Sequence, residues 1–256
     1  MSASAVLQVG DLSFTAEQVL PLISKYRMVP QLAREIVIEK AIEDHYITEA
    51  EHLTACQQFY QRQQLQTELD LEQWLQQQHL TRSDFGELID RELRLDKFKA
   101  AKWEHQLESY FCQRKAHIDQ VIFSMIRVKD FDIAEEIYFR LFTKEASFVE
   151  LAPLYSEGAE ARTKGISGPV ELGKIDPVLA NALLTSQAAE ILPPNKIGGW
   201  WVVCQREAII ATQLDEATRQ RLTEELFTTW LTAEVQKLLN RASCPVTPRY
   251  SVLSTT

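Results

Sequence analysis

The side chains that do most proton and metal chemistry are unevenly distributed in this chain. All five histidines, His45, His52, His79, His105 and His117, precede Ile118. The stretch from 118 to 210 therefore has no imidazole for acid–base work near neutral pH. His117 stands just before Asp119 at the entrance to that stretch and reads as a junction residue. The four cysteines, Cys56, Cys112, Cys204 and Cys244, are far apart and form no Cys-x-x-Cys pair. They read as buried or idle thiols, neither a zinc framework nor a disulfide scaffold. Glu135-Glu136 and Glu157/Glu160 are acid pairs at spacings typical of a solvated face. Gly165-x-x-Gly168 lacks the lysine partner and the strand-to-helix setting of a phosphate loop. No metal and no cofactor is expected.

Bulk properties narrow the function further. The chain has 256 residues and a net charge of −9, with 45% apolar and 25% charged side chains. A chain this long can bury one large core or two modest ones. The acidic balance argues against a sequence-independent nucleic-acid partner, which needs a basic footprint. No run of about 18 apolar residues occurs, so membrane insertion is not expected. The N-terminus, Met-Ser-Ala-Ser-Ala-Val-Leu, has no basic n-region followed by an apolar h-region. A cytoplasmic location is expected on that ground, or an exported one if the chain is a trimmed mature form.

Glycine and proline set the organisation. Between Gln31 and Ala152 there is no proline and one glycine, Gly86. Six of the eight glycines and five of the nine prolines fall between Pro153 and Gly199. Both residue types punctuate helices, so the first stretch is predicted helical and the second loop-rich. A hairpin is predicted over 6–14, turning at Gly10-Asp11. Thr15-Ala-Glu-Gln18, Thr48-Glu-Ala-Glu51 and Ser147-Phe-Val-Glu150 are capping boxes that start helices. Thr81-Arg-Ser-Asp84 starts another, with an apolar stripe through Phe85, Ile89, Leu93 and Phe98. The glutamine-rich stretch 57–78 keeps an apolar stripe and reads as a solvated helix face. Val121 to Val128 is β-branched and aromatic-rich and predicts a strand. Asp132 is expected to cap the helix that follows it, and Asp176-Pro177 pairs an N-cap with a first-turn proline. The order β-α-α-loop-β-α-β-β from 118 to 210 predicts a small antiparallel sheet with helices against it, hence an α+β fold class. Residues 211–242 predict a C-terminal helix that packs back on the N-terminal helices, and 243–256 a loose tail.

Residues 147–201 resemble a parvulin-type (PpiC-like) prolyl isomerase domain. The residues that carry the resemblance are Tyr155-Ser156-Glu157-Gly158, Lys164-Gly165-Ile166-Ser167-Gly168, Ile175-Asp-Pro177-Val-Leu179 and Gly198-Gly199-Trp200-Trp201. The preceding part, 1–117, resembles the helical chaperone region of SurA-type folding factors. It does so through Leu20 to Ile42, Ile47-Thr48-Glu49, Trp74-Leu75 through Leu80-Thr81 to Phe85, and Ile89-Asp90-Arg91-Glu92-Leu93. The resemblance implies a mostly helical chaperone module with a small parvulin-like sheet domain over 118–210.

It also implies an active site, and the residues at that site's positions are the wrong types for it. The family's tetrad uses two facing histidines, an aspartate or cysteine, and a hydroxyl. Walked without gaps, those positions are Ser124 (Met125 if the next turn lacks an insertion), Gly158, Lys196 and Trp201. No shift within the stretch restores a histidine pair. The apolar positions persist: Met125, Ile175, Leu179, Trp200 and Trp201 are candidates for a peptide-binding pocket, or simply core. The resemblance thus implies a binder of unfolded or proline-containing polypeptide clients, with secretion substrates among the candidates. A slow peptidyl-prolyl isomerase is the alternative. A third reading, an adaptor that uses the domain only to dimerise, leaves the oligomeric state open.

Overall fold

The computed structural model describes residues 5–241, which form two compact units, one of residues up to His105 together with those from Gln220 onward, the other Gln106–Arg219. The chain is α+β: helices predominate, and they accompany a two-stranded hairpin and a four-stranded antiparallel sheet.

The first unit begins with the hairpin β1 (Ala5–Val9) and β2 (Leu12–Thr15), closed at Gly10-Asp11. Helices α1 (Ala16–Lys25), α2 (Val29–Ile42), α3 (Glu49–Arg62), α4 (Glu68–Gln78) and α5 (Arg82–Trp103) follow. Their starts are local chemistry. The Thr15 N–H donates to Gln18 Oε1 at 2.9 Å, the Thr48 N–H to Glu51 Oε2 at 2.8 Å, and the Thr81 N–H to Asp84 Oδ2 at 2.7 Å. Helix α5 is the spine of this unit. Its first half packs Phe85 and Ile89 against Phe59 of α3 and Leu71 and Leu75 of α4. The apolar stripe of the glutamine-rich stretch is thus buried at Leu71 and Leu75, while Leu69 stays exposed. The second half of α5 packs Phe98 and Trp103 against Ile38 and Ile42 of α2 and against Phe227 and Leu231.

Helix α5 stops at Trp103, and a 3-10 turn at Glu104–Gln106 separates it from α6 (Leu107–Ile118). The second unit then runs β3 (Gln120–Val128), α7 (Phe131–Phe142), α8 (Phe148–Tyr155), β4 (Ile166–Glu171), α9 (Pro177–Thr185), β5 (Ile191–Ile197) and β6 (Trp200–Ile210). A 3-10 helix at Ala159–Thr163 leads into β4. The last helix, α10 (Glu216–Arg241), supplies Phe227 and Leu231. The strand order is β4-β3-β6-β5, all antiparallel. Helices α7 and α8 cover one face of this sheet around Ile126, Val128 and Val203. Helix α9 covers the other around Val121, Phe123, Val202 and Cys204. The cap of α7 is Asp130, not Asp132: the extended backbone of Asp130 lets Oδ1 accept the N–H of Asp132 at 2.8 Å and of Ile133 at 3.3 Å. The tail expected beyond 243 lies outside the described residues.

Candidate functional site

The pleat of the sheet decides which candidate residues meet. Successive strand side chains point to opposite faces, so β3 and β6 each divide their residues between α9 and the α7/α8 pair. Met125 pairs across the sheet with Cys204, and both face α9. Trp200 joins them from the start of β6, and Ile175 and Leu179 come in from α9 and the turn before it. Helix α9 is placed by its cap: Asp176 Oδ1 accepts the Val178 N–H at 2.8 Å, with Pro177 in the first turn. Leu179 is 6% exposed and belongs to the core, whereas Met125, Ile175 and Trp200 are half-buried. Cys204 lies under this face, where burial pushes its thiol up to about 12.

The structure brings Met125, Ile175, Leu179 and Trp200 into one apolar cluster but does not bring Trp201 to it. Trp201 pairs with Val128 and packs on the α7 side, edge to face with Phe131 at 4.7 Å between centroids. Lys196 stands opposite Trp201 on β5, its Nζ 5.7 Å from the indole centroid. Ser124 is buried on β3, in step with Ile126 and Val128, and its Oγ donates to Glu207 Oε1 at 2.6 Å. Gly158 lies against Arg127, a residue in step with Met125 on the α9 side. Ser124, Gly158, Lys196 and Trp201 therefore do not converge on one point.

Around Gly158 the structure places a charged pair that sequence reasoning passed over. Arg127 Nε lies 3.0 Å from Glu160 Oε1, and the Glu160 side chain is only 4% exposed. The N–H of Nε is not aimed along that line, so the contact is an ion pair rather than an aligned hydrogen bond. Glu160 also accepts from Ser156 Oγ at 2.6 Å, and Ser156 Oγ accepts the Arg127 N–H at 3.1 Å. The Glu157 N–H donates to the Arg127 carbonyl at 2.9 Å, and Glu157 Oε1 accepts the Lys129 N–H at 2.9 Å. The segment 156–160 is thereby laced to β3. Glu160 is not the solvated acid its spacing suggested, because the 3-10 helix after Gly158 turns its carboxylate inward to the guanidinium. The available signal was Arg127 itself: an arginine inside the apolar run Val121 to Val128 needs a partner when the strand is buried.

Two cations rim the apolar cluster. The Arg127 guanidinium sits 5.8 Å from the Trp200 centroid and Lys129 Nζ 5.2 Å from it. A Cβ at Gly158 would lie 2.0 Å from Arg127 Nε and 2.3 Å from Glu160 Oε1, so any larger residue must push that pair aside. At Gly168 the constraint is the backbone, with φ at +101° and the Val121 carbonyl 2.4 Å from where a Cβ would sit. Chemically, this face offers an apolar, aromatic grip with a cationic rim. Its charged groups are the paired Arg127 and Glu160 together with Lys129, and the buried thiol of Cys204 lies beneath it. Among the described residues no group of three or more His, Cys, Asp or Glu could hold a metal ion, and no helix is long and apolar enough to cross a membrane.

Residues 128–208 match the family model of the rotamase domain, described as a PPIC-type PPIase domain. No curated protein matches the chain. Among solved structures, the chain is similar to the peptidylprolyl isomerase PrsA of Bacillus cereus, with 17% identity, a TM-score of 0.49, and 97% of this chain and 96% of that chain covered. PrsA of Bacillus anthracis is 20% identical, with a TM-score of 0.48 and 81% of this chain and 97% of that chain covered. A protein from the study of two SurA-like chaperones of Campylobacter jejuni is 17% identical, with a TM-score of 0.37 and coverage of 93% and 98%. The family-model match is thus confined to the sheet-bearing segment from Val128 to Ala208.

Proposed function

We propose that this chain binds unfolded polypeptide segments, and that its rotamase-type domain grips an apolar or proline-containing stretch at the α9 face of the sheet without efficient turnover. The observation that carries the reading is the half-buried patch of Met125, Ile175 and Trp200, rimmed by Arg127 and Lys129. Apolar surface with a few placed polar groups is what a peptide site needs. Turnover of a prolyl bond must lower a barrier of about 20 kcal/mol. The positions that the resemblance assigns to the family's tetrad are Ser124 or Met125, Gly158, Lys196 and Trp201, none of them a histidine.

A slow prolyl isomerase is the second reading, favoured by the retained apolar face alone. Desolvating a prolyl bond against Met125 and Trp200 would favour its twisted form to some degree. A protease-coupled isomerisation assay on a panel of proline peptides, run beside an aggregation-suppression assay, separates the two. Suppression without turnover supports the binding reading, and rapid turnover overturns it. Trp200→Ala is expected to weaken peptide binding by about 2 kcal/mol, as loss of a central aromatic does. Trp201→Ala is expected to leave binding near the parent value. Equal losses in both variants would count against the α9 face as the site.

A further inference from the structure

The helical unit carries a constellation that the peptide-binding reading does not use. His52 and Cys56 stand one turn apart on α3, and Asp90 faces them from α5. His52 Nδ1 lies 2.7 Å from Asp90 Oδ1, and His52 Nε2 lies 3.5 Å from Cys56 Sγ. In the tautomer whose Nδ1–H donates to that carboxylate, the Nε2 lone pair faces the thiol. This is the order nucleophile, base, orienting acid, held by two helices rather than by loops. The His52 and Asp90 side chains are each 32% exposed and Cys56 is half-buried, so a small reagent can reach the group. Burial, and then the charge of Asp90, push the Cys56 thiol up. At rest the sulfur keeps its proton, and a neighbouring base is needed to remove it as the sulfur attacks.

We propose that Cys56, His52 and Asp90 form a base-assisted thiol site that takes small disulfides by thiol–disulfide exchange. Cys56 Sγ attacks one sulfur of the disulfide R–S–S–R as its proton passes to His52 Nε2. A Cys56–S–S–R bond forms, the original S–S bond breaks, and the departing thiolate takes the proton from Nε2 and leaves as R–SH. One disulfide is consumed and one is made, so no outside oxidant is required. Asp90 acts through His52, as a positioning residue that stabilises the imidazolium in the transition state.

The test treats the full chain with 2-hydroxyethyl disulfide and follows each cysteine by mass spectrometry. Cys56 is expected to be modified at least about tenfold faster than the exposed Cys112, with His52→Gln removing about that factor. Asp90→Asn is expected to slow Cys56 in the same direction, and neither variant to change the rate at Cys112. A solvent deuterium isotope effect on the Cys56 rate, lost in His52→Gln, is a readout that a purely structural histidine would not give. Equal Cys56 rates in the parent and His52→Gln, or a faster Cys112, would overturn the proposal. Circular dichroism checks each variant's fold, and Asp90→Asn decides where His52→Gln unfolds the helices. The outcome is independent of peptide binding by the sheet domain.

Discussion

Gly158 is the point where one hydrogen in place of a methyl group controls a buried charge. Arg127 and Glu160 occupy the space a Cβ would take. Gly158→Ala is expected to displace the pair and cost about 2 kcal/mol in urea unfolding. Arg127→Met leaves Glu160 buried and unpaired, with an expected loss of roughly 3 kcal/mol, while the double variant with Glu160→Gln recovers most of it. A double variant no more stable than Arg127→Met would show that Arg127 acts by packing alone. At the head of α3, the Lys97 ammonium and the Thr48 amide and hydroxyl hold the Glu51 carboxyl down at about 2 from 4.5. A depressed carboxyl contributes stability above its unfolded value and loses it as pH falls through the folded one. Unfolding measured in steps from pH 4.5 to 2 is therefore expected to be less acid-sensitive in Glu51→Gln than in the parent. These residue-scale pairs were hard to read from sequence. Arg127 and Glu160 are 33 positions apart, and only the lacing of segment 156–160 to β3 makes them neighbours.

At the scale of elements, the capping boxes were legible because their chemistry spans three residues. Thr48 and Glu51, Thr81 and Asp84, and Ser147 and Glu150 all hold their helices in the structure. Asp176→Ala is expected to fray α9 and cost about 1 kcal/mol, read as a lower unfolding midpoint. Because α9 carries Leu179 and follows Ile175, the same change is expected to weaken peptide binding more than the loss of global stability explains. The cap of α7 is Asp130, two residues before Asp132, since both aspartates suit a cap and only backbone geometry selects between them. The two tryptophans show a different limit. Adjacent residues of one strand cannot line one face, so Trp200 and Trp201 part to α9 and to α7. Strand periodicity says that they part; only the pairing register of β6 with β3 says which goes where.

For the whole molecule, the first unit is made of two distant chain segments and the second of one continuous segment. Each has its own buried clusters. Calorimetry is expected to show two transitions. Leu231→Ala, which empties a fully buried position among the helices, is expected to lower one by several degrees. Leu183→Ala, fully buried on the inner side of α9, is expected to lower the other. A single transition shifted alike by both variants would refute independent cores.

The sequence by itself determined the α+β class, the helix starts that a capping box marks, the strand order along the chain and the want of histidine after Ile118. These are matters of residue type and of contacts a few positions long, which propensity, capping and periodicity report directly. Only the tertiary structure decided that Glu160 is buried, that Trp201 leaves the Met125–Ile175–Trp200 face, and that His52, Cys56 and Asp90 meet. Each depends on strand register or on helices packed across tens of residues, and no local pattern encodes which distant partner a side chain will meet.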